Sequence, residues 1–327
     1  MKSESSSLEK TKRKRRQDYE HGMREAFGKH MAEIGKDHPE MVVLDADVSS
    51  STKSALFGKA FPERFFNVGV AEGNLAGVAA GLSTCGYHPV INAFAIFLSL
   101  KSTDQIRNDM CYNSLPCVIA GAYGGLSDSF DGASHQAIED IAIFRSLPNM
   151  EVIVPSDAHQ AELALDYALT RKNPVYIRLN RNAMPDIDTD RDTFMAGKAI
   201  KMREGKDITI AANGITASYA MEAAEALSKE GIEAEVFSVP FIKPLDAESL
   251  FASAEKTGRL LTVEEHLLAG GFASSLAEVA FKRGLNAKVD NIAFEDKFGE
   301  TGPYIDLLAK YGISKENIVE RAKALIK

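Results

Sequence analysis

The strongest constraint on this sequence is an alternation of short, apolar, β-branched runs with longer stretches of helical periodicity. MVVLDAD (41–47), HPVINAF (88–94), LPCVIAGA (115–122), MEVIVPSD (150–157) and PVYIRLNR (174–181) are rich in Val, Ile and Leu and end on small or polar residues. Runs apolar on both faces fit strands of a parallel sheet covered by helices. Helical patterns lie between them over 20–36, 72–84, 99–111, 136–147 and 158–170. The implied class is α/β, with mostly parallel sheets. After Arg181 the segment NAMPDIDTDRDTF is polar and turn-rich, as a linker or surface excursion would be. A second α/β set follows: DITIAANG (207–214), a helix over 218–229, EAEVFSVP (233–240), GRLLTVEEH (258–266) and a helix over 272–283. The expected division is a basic arm over 1–18, one domain over 19–190 and a second over 191–327.

Composition removes several function classes. The 327 residues carry a formal net charge of -8, which gives no reason to expect a nucleic-acid partner for the body of the chain. No apolar run approaches the roughly 20 residues of a membrane span. The basic cluster Lys10 to Arg16 reads either as a solvated arm or as an arm that docks on an acidic partner. Cys85, Cys111 and Cys117 have no metal-like spacing, so a reduced, cytoplasmic setting is expected. The sequence contains no Walker-type phosphate loop, no GxGxxG after a strand and no GxSxG elbow.

Parallel sheets place working residues on loops at the carboxyl ends of strands. Asp45 and Asp47 with Ser49 to Ser51, then Phe94 and Phe97, the loop 122–135, and Arg181 all fall there. Glu72 sits in VGVAEGNLAGVAAGL, among small and apolar neighbours at a helix start. A buried carboxylate there either caps the helix dipole or is held for chemistry, with a retained proton or a strong partner. Asp128, Asp131 and His135 in AYGGLSDSFDGASHQ are turn and capping residues or site residues on the same grounds.

The order of these segments resembles the transketolases. DADVSSST, FFNVGVAEGNLAGVAAGL, INAFAIF, DGASHQAIEDIAIFRSLPNMEVIVPSD and PVYIRLNR are similar to the pyrimidine-binding domain of that family. GRLLTVEEHLLAGGFASSLAEV and KFGETGPYIDLLAKYGIS are similar to its carboxyl-terminal domain. The resemblance runs from about Tyr19 onward. It implies a thiamine-diphosphate enzyme in which Glu72 hydrogen-bonds and activates the cofactor's aminopyrimidine. Phe94 and Phe97 would line the pyrimidine pocket, and Asp47 would lie near the thiazolium side. Asp131 and His135 would contact sugar hydroxyls, with His135 also moving protons. Arg181, Arg24 and Ser51 would take the substrate phosphate, with Arg178 the rival of Arg181.

Three departures qualify the resemblance. Leu100 stands where the family often has a third aromatic. Tyr123 is the nearest candidate where transketolases carry an additional histidine, in a loop expected to be altered in length. The family's GDG…N-type segment, which holds the diphosphate through Mg2+ or a similar ion, is missing. The resemblance then implies an amino-terminal partner subunit bearing the metal site, two copies of each chain, phosphorylated sugar substrates and two-carbon ketol transfer. The rival activities are those of the beta subunit of a 2-oxo-acid dehydrogenase decarboxylating component and of a 1-deoxyxylulose-5-phosphate synthase-like half. A noncatalytic regulatory subunit is the rival from another class. DGASHQ and FGETGP favour the transketolase reading over both rival enzymes.

Overall fold

The apolar runs of the first half become neighbours in one seven-stranded sheet. A computed structural model describes residues 22–187 and 193–327, so the basic cluster at 10–16 and the expected boundary at 190 lie outside the described residues. The strands are β1 (Met41–Asp45), β2 (Phe65–Asn67), β3 (His88–Phe94), β4 (Val118–Ala122), β5 (Glu151–Ile153) and β6 (Val175–Leu179). Together with β10 (Phe241–Lys243) they lie in the order β10-β5-β6-β4-β3-β1-β2. All neighbours are parallel except β10, which pairs antiparallel with β5. β10 comes from the second half of the chain and covers an edge that would otherwise present unpaired amides. A five-stranded sheet contains β7 (Ile200–Arg203), β8 (Ile208–Ala212), β9 (Ala234–Ser238), β11 (Arg259–Leu267) and β12 (Lys288–Phe294), in the order β12-β11-β8-β9-β7. Here only β7 runs antiparallel to its neighbour.

Helices cover both faces of the first sheet. Met23–Ile34 packs on Ala158–Leu169, while Glu72–Thr84 packs against β3. Two expected helices differ in extent, each for a local reason. The stretch 99–111 is not one helix: Ala95–Lys101 is followed by Thr103–Gln105 and a π-helical turn, Ile106–Cys111. Ser102 Oγ donates to the Leu98 carbonyl at 2.7 Å, and Thr103 Oγ1 donates to that of Ser99. Hydroxyls that bond back to carbonyls one turn earlier compete with the helical ladder. The helix expected over 136–147 begins only at Asp140. Its first carbonyls are engaged elsewhere: Ala137 accepts from Gly125 N at 2.8 Å and Ile138 from Leu267 N at 2.9 Å.

Those bonds belong to a polar junction between the two halves. Buried Arg178 donates to Asp140 Oδ2 at 2.8 Å and to the carbonyls of Ala137 and Glu265 at 2.9 and 3.0 Å. Tyr176 also donates to Asp140 Oδ2, at 2.5 Å. Glu265 accepts from Leu126 N and the Tyr304 hydroxyl, each at 2.9 Å, and from Asn180 Nδ2 at 3.3 Å. Gly125 has φ +66°, and a Cβ there would fall 2.3 Å from the Glu265 carboxyl carbon. Only glycine meets both demands. Burial raises the Glu264 and Glu265 carboxyls to about 7 and lowers His266 to about 4.

Candidate active site

Because β1, β3, β4 and β6 are parallel, their carboxyl ends open to the same side. Glu72 begins the helix Glu72–Thr84 and is 5% exposed. The preceding Ala71 has no side chain able to cap the helix. Lys101, at the end of Ala95–Lys101, places Nζ 3.4 and 3.5 Å from the two Glu72 oxygens. The same ammonium lies 4.1 Å from the centroid of the Phe97 ring. These are long contacts from a half-exposed lysine to a carboxylate able to accept several bonds. Glu72 therefore retains accepting capacity at a wall largely closed to water.

Aromatic rings lie on the other side of Lys101. Phe94 closes β3 and Phe97 follows one helical turn later, with centroids 5.9 Å apart and planes inclined by 29°. Both are only partly buried, so they also present surface rather than serving as core alone. His135 stands edge-on to Phe97 at 5.2 Å and to Phe94 at 6.1 Å. Its backbone amide donates to the Gly132 carbonyl at 2.9 Å, and Nδ1 lies 3.0 Å from Ser134 Oγ. The loop carrying it is braced by the second half. Gly302 N donates to the Ser129 carbonyl at 3.1 Å, and Gln136 Nε2 donates to that of Glu300 at 2.9 Å. Asp131 lies exposed on this loop.

Two arginines meet beside the rings. Gly22 and Ala183 form an antiparallel bridge, which brings Arg24 on the first helix next to Arg181 beyond β6. Arg24 Nη1 donates to the Ser51 carbonyl and to the Tyr123 hydroxyl, both at 2.6 Å. Arg181 Nη1 donates to Asp128 Oδ1 at 2.6 Å. Burial, with the charge of Asp131, raises the Asp128 carboxyl, while Arg181 opposes that shift. Arg178, the rival for an anion-binding role, is consumed by the junction and has no exposed face to offer.

Of the residues expected from sequence, Glu72, Phe94, Phe97, His135, Arg24, Ser51 and Arg181 form one connected group together with Tyr123. Asp47 stands outside that group: it has φ 65° and accepts from Asn67 Nδ2 at 2.8 Å. Lys101 was not foreseen as the partner of Glu72. The available signal was its position four residues after Phe97 on one helix face. The sequence presents the Glu264-Glu265-His266 triplet as a strand end within the carboxyl-terminal resemblance, although three adjacent ionisable residues closing an apolar run already imply a buried network. Among the described residues, no group of three or more His, Cys, Asp or Glu side chains is arranged to hold a metal ion. None of the described helices is long and apolar enough to cross a membrane.

Comparison with known proteins assigns the two halves of the chain to a family. Residues 20–186 match the transketolase pyrimidine-binding domain model, and 197–318 match the transketolase C-terminal domain model. A protein of Methanocaldococcus jannaschii named "Putative transketolase C-terminal section" is 41% identical over 302 residues, covering 92% of this chain and 95% of the relative. The 6-deoxy-6-sulfo-D-fructose transketolase subunit of Clostridium sp. (strain MSTE9) is 37% identical over 305 residues, covering 93% of this chain and 94% of the relative. A solved structure described as "Split gene transketolase, inactive beta4 tetramer" superimposes with a TM-score of 0.86 at 45% identity, covering 93% of this chain and 98% of that one.

Proposed function

Since the chain belongs to the transketolase family and carries its pyrimidine-binding and carboxyl-terminal domains, we propose that it is the glutamate-bearing subunit of a two-chain, thiamine-diphosphate-dependent transketolase. It transfers a two-carbon ketol unit from a ketose phosphate to an aldose acceptor, together with an amino-terminal subunit that holds the diphosphate and Mg2+, two copies of each. The observation that carries this reading is the connected set that runs from buried Glu72 through Lys101 to the Phe97, Phe94 and His135 rings. The 19–190 and 191–327 division is retained as the domain organisation.

The aminopyrimidine end of the cofactor fits this mouth: a flat heteroaromatic ring matches partly buried aromatic faces beside a carboxylate with spare accepting capacity. When bound, the cofactor would supply an acidic thiazolium carbon whose deprotonated form is the nucleophile towards the donor's carbonyl. Glu72, shielded from water, holds or shares a proton at the pyrimidine ring nitrogen. Phe94 and Phe97 orient that ring, and Lys101 holds the carboxylate only through long contacts. His135 moves a proton at the substrate's carbonyl or hydroxyl oxygen, and Asp131 binds a sugar hydroxyl. Arg24, Arg181 and Ser51 bind the anionic terminus, for which planar guanidinium groups suit phosphate. Asp47 is assigned to the thiazolium side of the cofactor.

The names of the relatives support a two-chain enzyme: one is a subunit, another is a split-gene product whose beta4 tetramer is inactive. The test is an assay of the chain assembled with an amino-terminal transketolase subunit, thiamine diphosphate and magnesium. The expected result is ketol transfer from a ketose phosphate. Release of carbon dioxide from pyruvate in its place would overturn the assignment.

A further inference from the structure

Tyr123 ends the loop side of β4 in the left-handed region, φ 63°, a conformation uncommon for a bulky residue. That turn lays its ring, 4% exposed, beneath two cations. The guanidinium carbons of Arg24 and Arg181 lie 5.0 and 5.1 Å from the same ring centroid. Phe94 buttresses the ring at 4.5 Å. The phenol oxygen also accepts a hydrogen bond from Arg24 at 2.6 Å. Two guanidinium groups brought to one place repel each other, and the electron-rich ring face offsets part of that repulsion for both. Among the described residues the buried Asp128 carboxylate bonds Arg181, while Arg24 donates to neutral acceptors, the phenol and the Ser51 carbonyl.

We propose that Tyr123 is a positioning residue that aims Arg24 and Arg181 together at the phosphate terminus of the sugar substrate, and so sets the preference for phosphorylated over uncharged sugars. This inference rests on the transferase reading above. The phenol acts through the arginines; it lies too deep beneath them to serve as a first contact for substrate.

The test compares Tyr123→Leu and Tyr123→Phe in the assembled enzyme, using one ketose with and without its phosphate. Tyr123→Leu is expected to raise KM for the ketose phosphate about 20-fold or more, with a much smaller change in kcat and in KM for the unphosphorylated sugar. Tyr123→Phe keeps the ring and loses the acceptor, so KM should rise by about three- to tenfold. Inorganic phosphate, as a competitor, should lose affinity in the same order. Equal losses on both sugars, or a fall in kcat with the KM ratio unchanged, would overturn the inference. Should Tyr123→Leu fail to assemble, Tyr123→Phe decides alone. Calorimetry with inorganic phosphate separates this inference from the reaction. Weaker phosphate binding in Tyr123→Phe keeps the clamp even if no ketol transfer is found, and unchanged or undetectable binding to both proteins removes it.

Discussion

Arg178 and Arg181 are three residues apart on one strand and its exit, and their surroundings are opposite. Arg178 lies inside the junction, where Asp140 and the carbonyls of Ala137 and Glu265 use its donors; burial works to lower its pKa, and the carboxyl groups of Asp140 and Glu265 outweigh that and raise it. Arg181 lies at the mouth with one carboxylate partner and one ring face. The same contrast holds for carboxylates. Glu265 is surrounded by an amide, a phenol and a carboxamide, whereas Glu72, among the described residues, has the long contacts from Lys101. A polar group saturated within its own chain is structural; one left with spare bonding capacity at an opening is available for a ligand.

That contrast can be broken at several points. The largest effect is expected at the junction. Arg178→Ala should lower the free energy of unfolding by about 3–5 kcal/mol, because buried Asp140 would lose its ion-pair partner and keep only the Tyr176 hydroxyl bond. Denaturant titration measures this, and a loss comparable to that of the half-exposed Arg181→Ala would erase the distinction. At the mouth, Glu72→Ala should leave assembly intact and reduce turnover by about 100-fold or more, the range of a lost acid–base group. Activity within a few-fold of the parent enzyme would remove Glu72 from the chemistry.

A subtler test uses pH. Glu265 in the folded chain holds a proton up to about 7, above its unfolded value. Its contribution to stability is complete below the unfolded carboxylate pKa and is lost as pH rises through about 7. Glu264 acts in the same direction. His266, held down to about 4, acts oppositely: its contribution is present above 6.5 and is lost as pH falls through 4. Glu265→Gln should therefore flatten the fall in stability between pH 4.5 and 7 by about 1.4 kcal/mol per pH unit, one proton's worth. Parallel curves for variant and parent would exclude Glu265 from this titration.

Much of this architecture was legible because continuous apolar runs alternate with stretches of period 3.6. β3, Glu72–Thr84 and Phe272–Arg283 fall where the sequence implied. β10 was not legible: three residues after Pro240 carry no periodicity, and their partner lies nearly ninety positions away. The site residues followed from a family resemblance together with their position at strand ends. What separated Arg178 from Arg181 was burial, which depends on Asp140 and Glu265 arriving from other elements. Tyr123 was visible as a departure, but its relation to Arg24 depends on the Gly22–Ala183 bridge, a tertiary contact that no local pattern records.

The antiparallel β10 has a further consequence for how the chain is tethered. Phe241 and Lys243 pair with Ile153 and Val152, and Lys243 Nζ donates to the carbonyls of Arg145 and Leu147 at 3.0 and 2.5 Å. The halves are laced through a shared sheet as well as through the peptide that joins them. A single backbone cut between 187 and 193 would leave two fragments that still travel as one particle, and only a denaturant would part them.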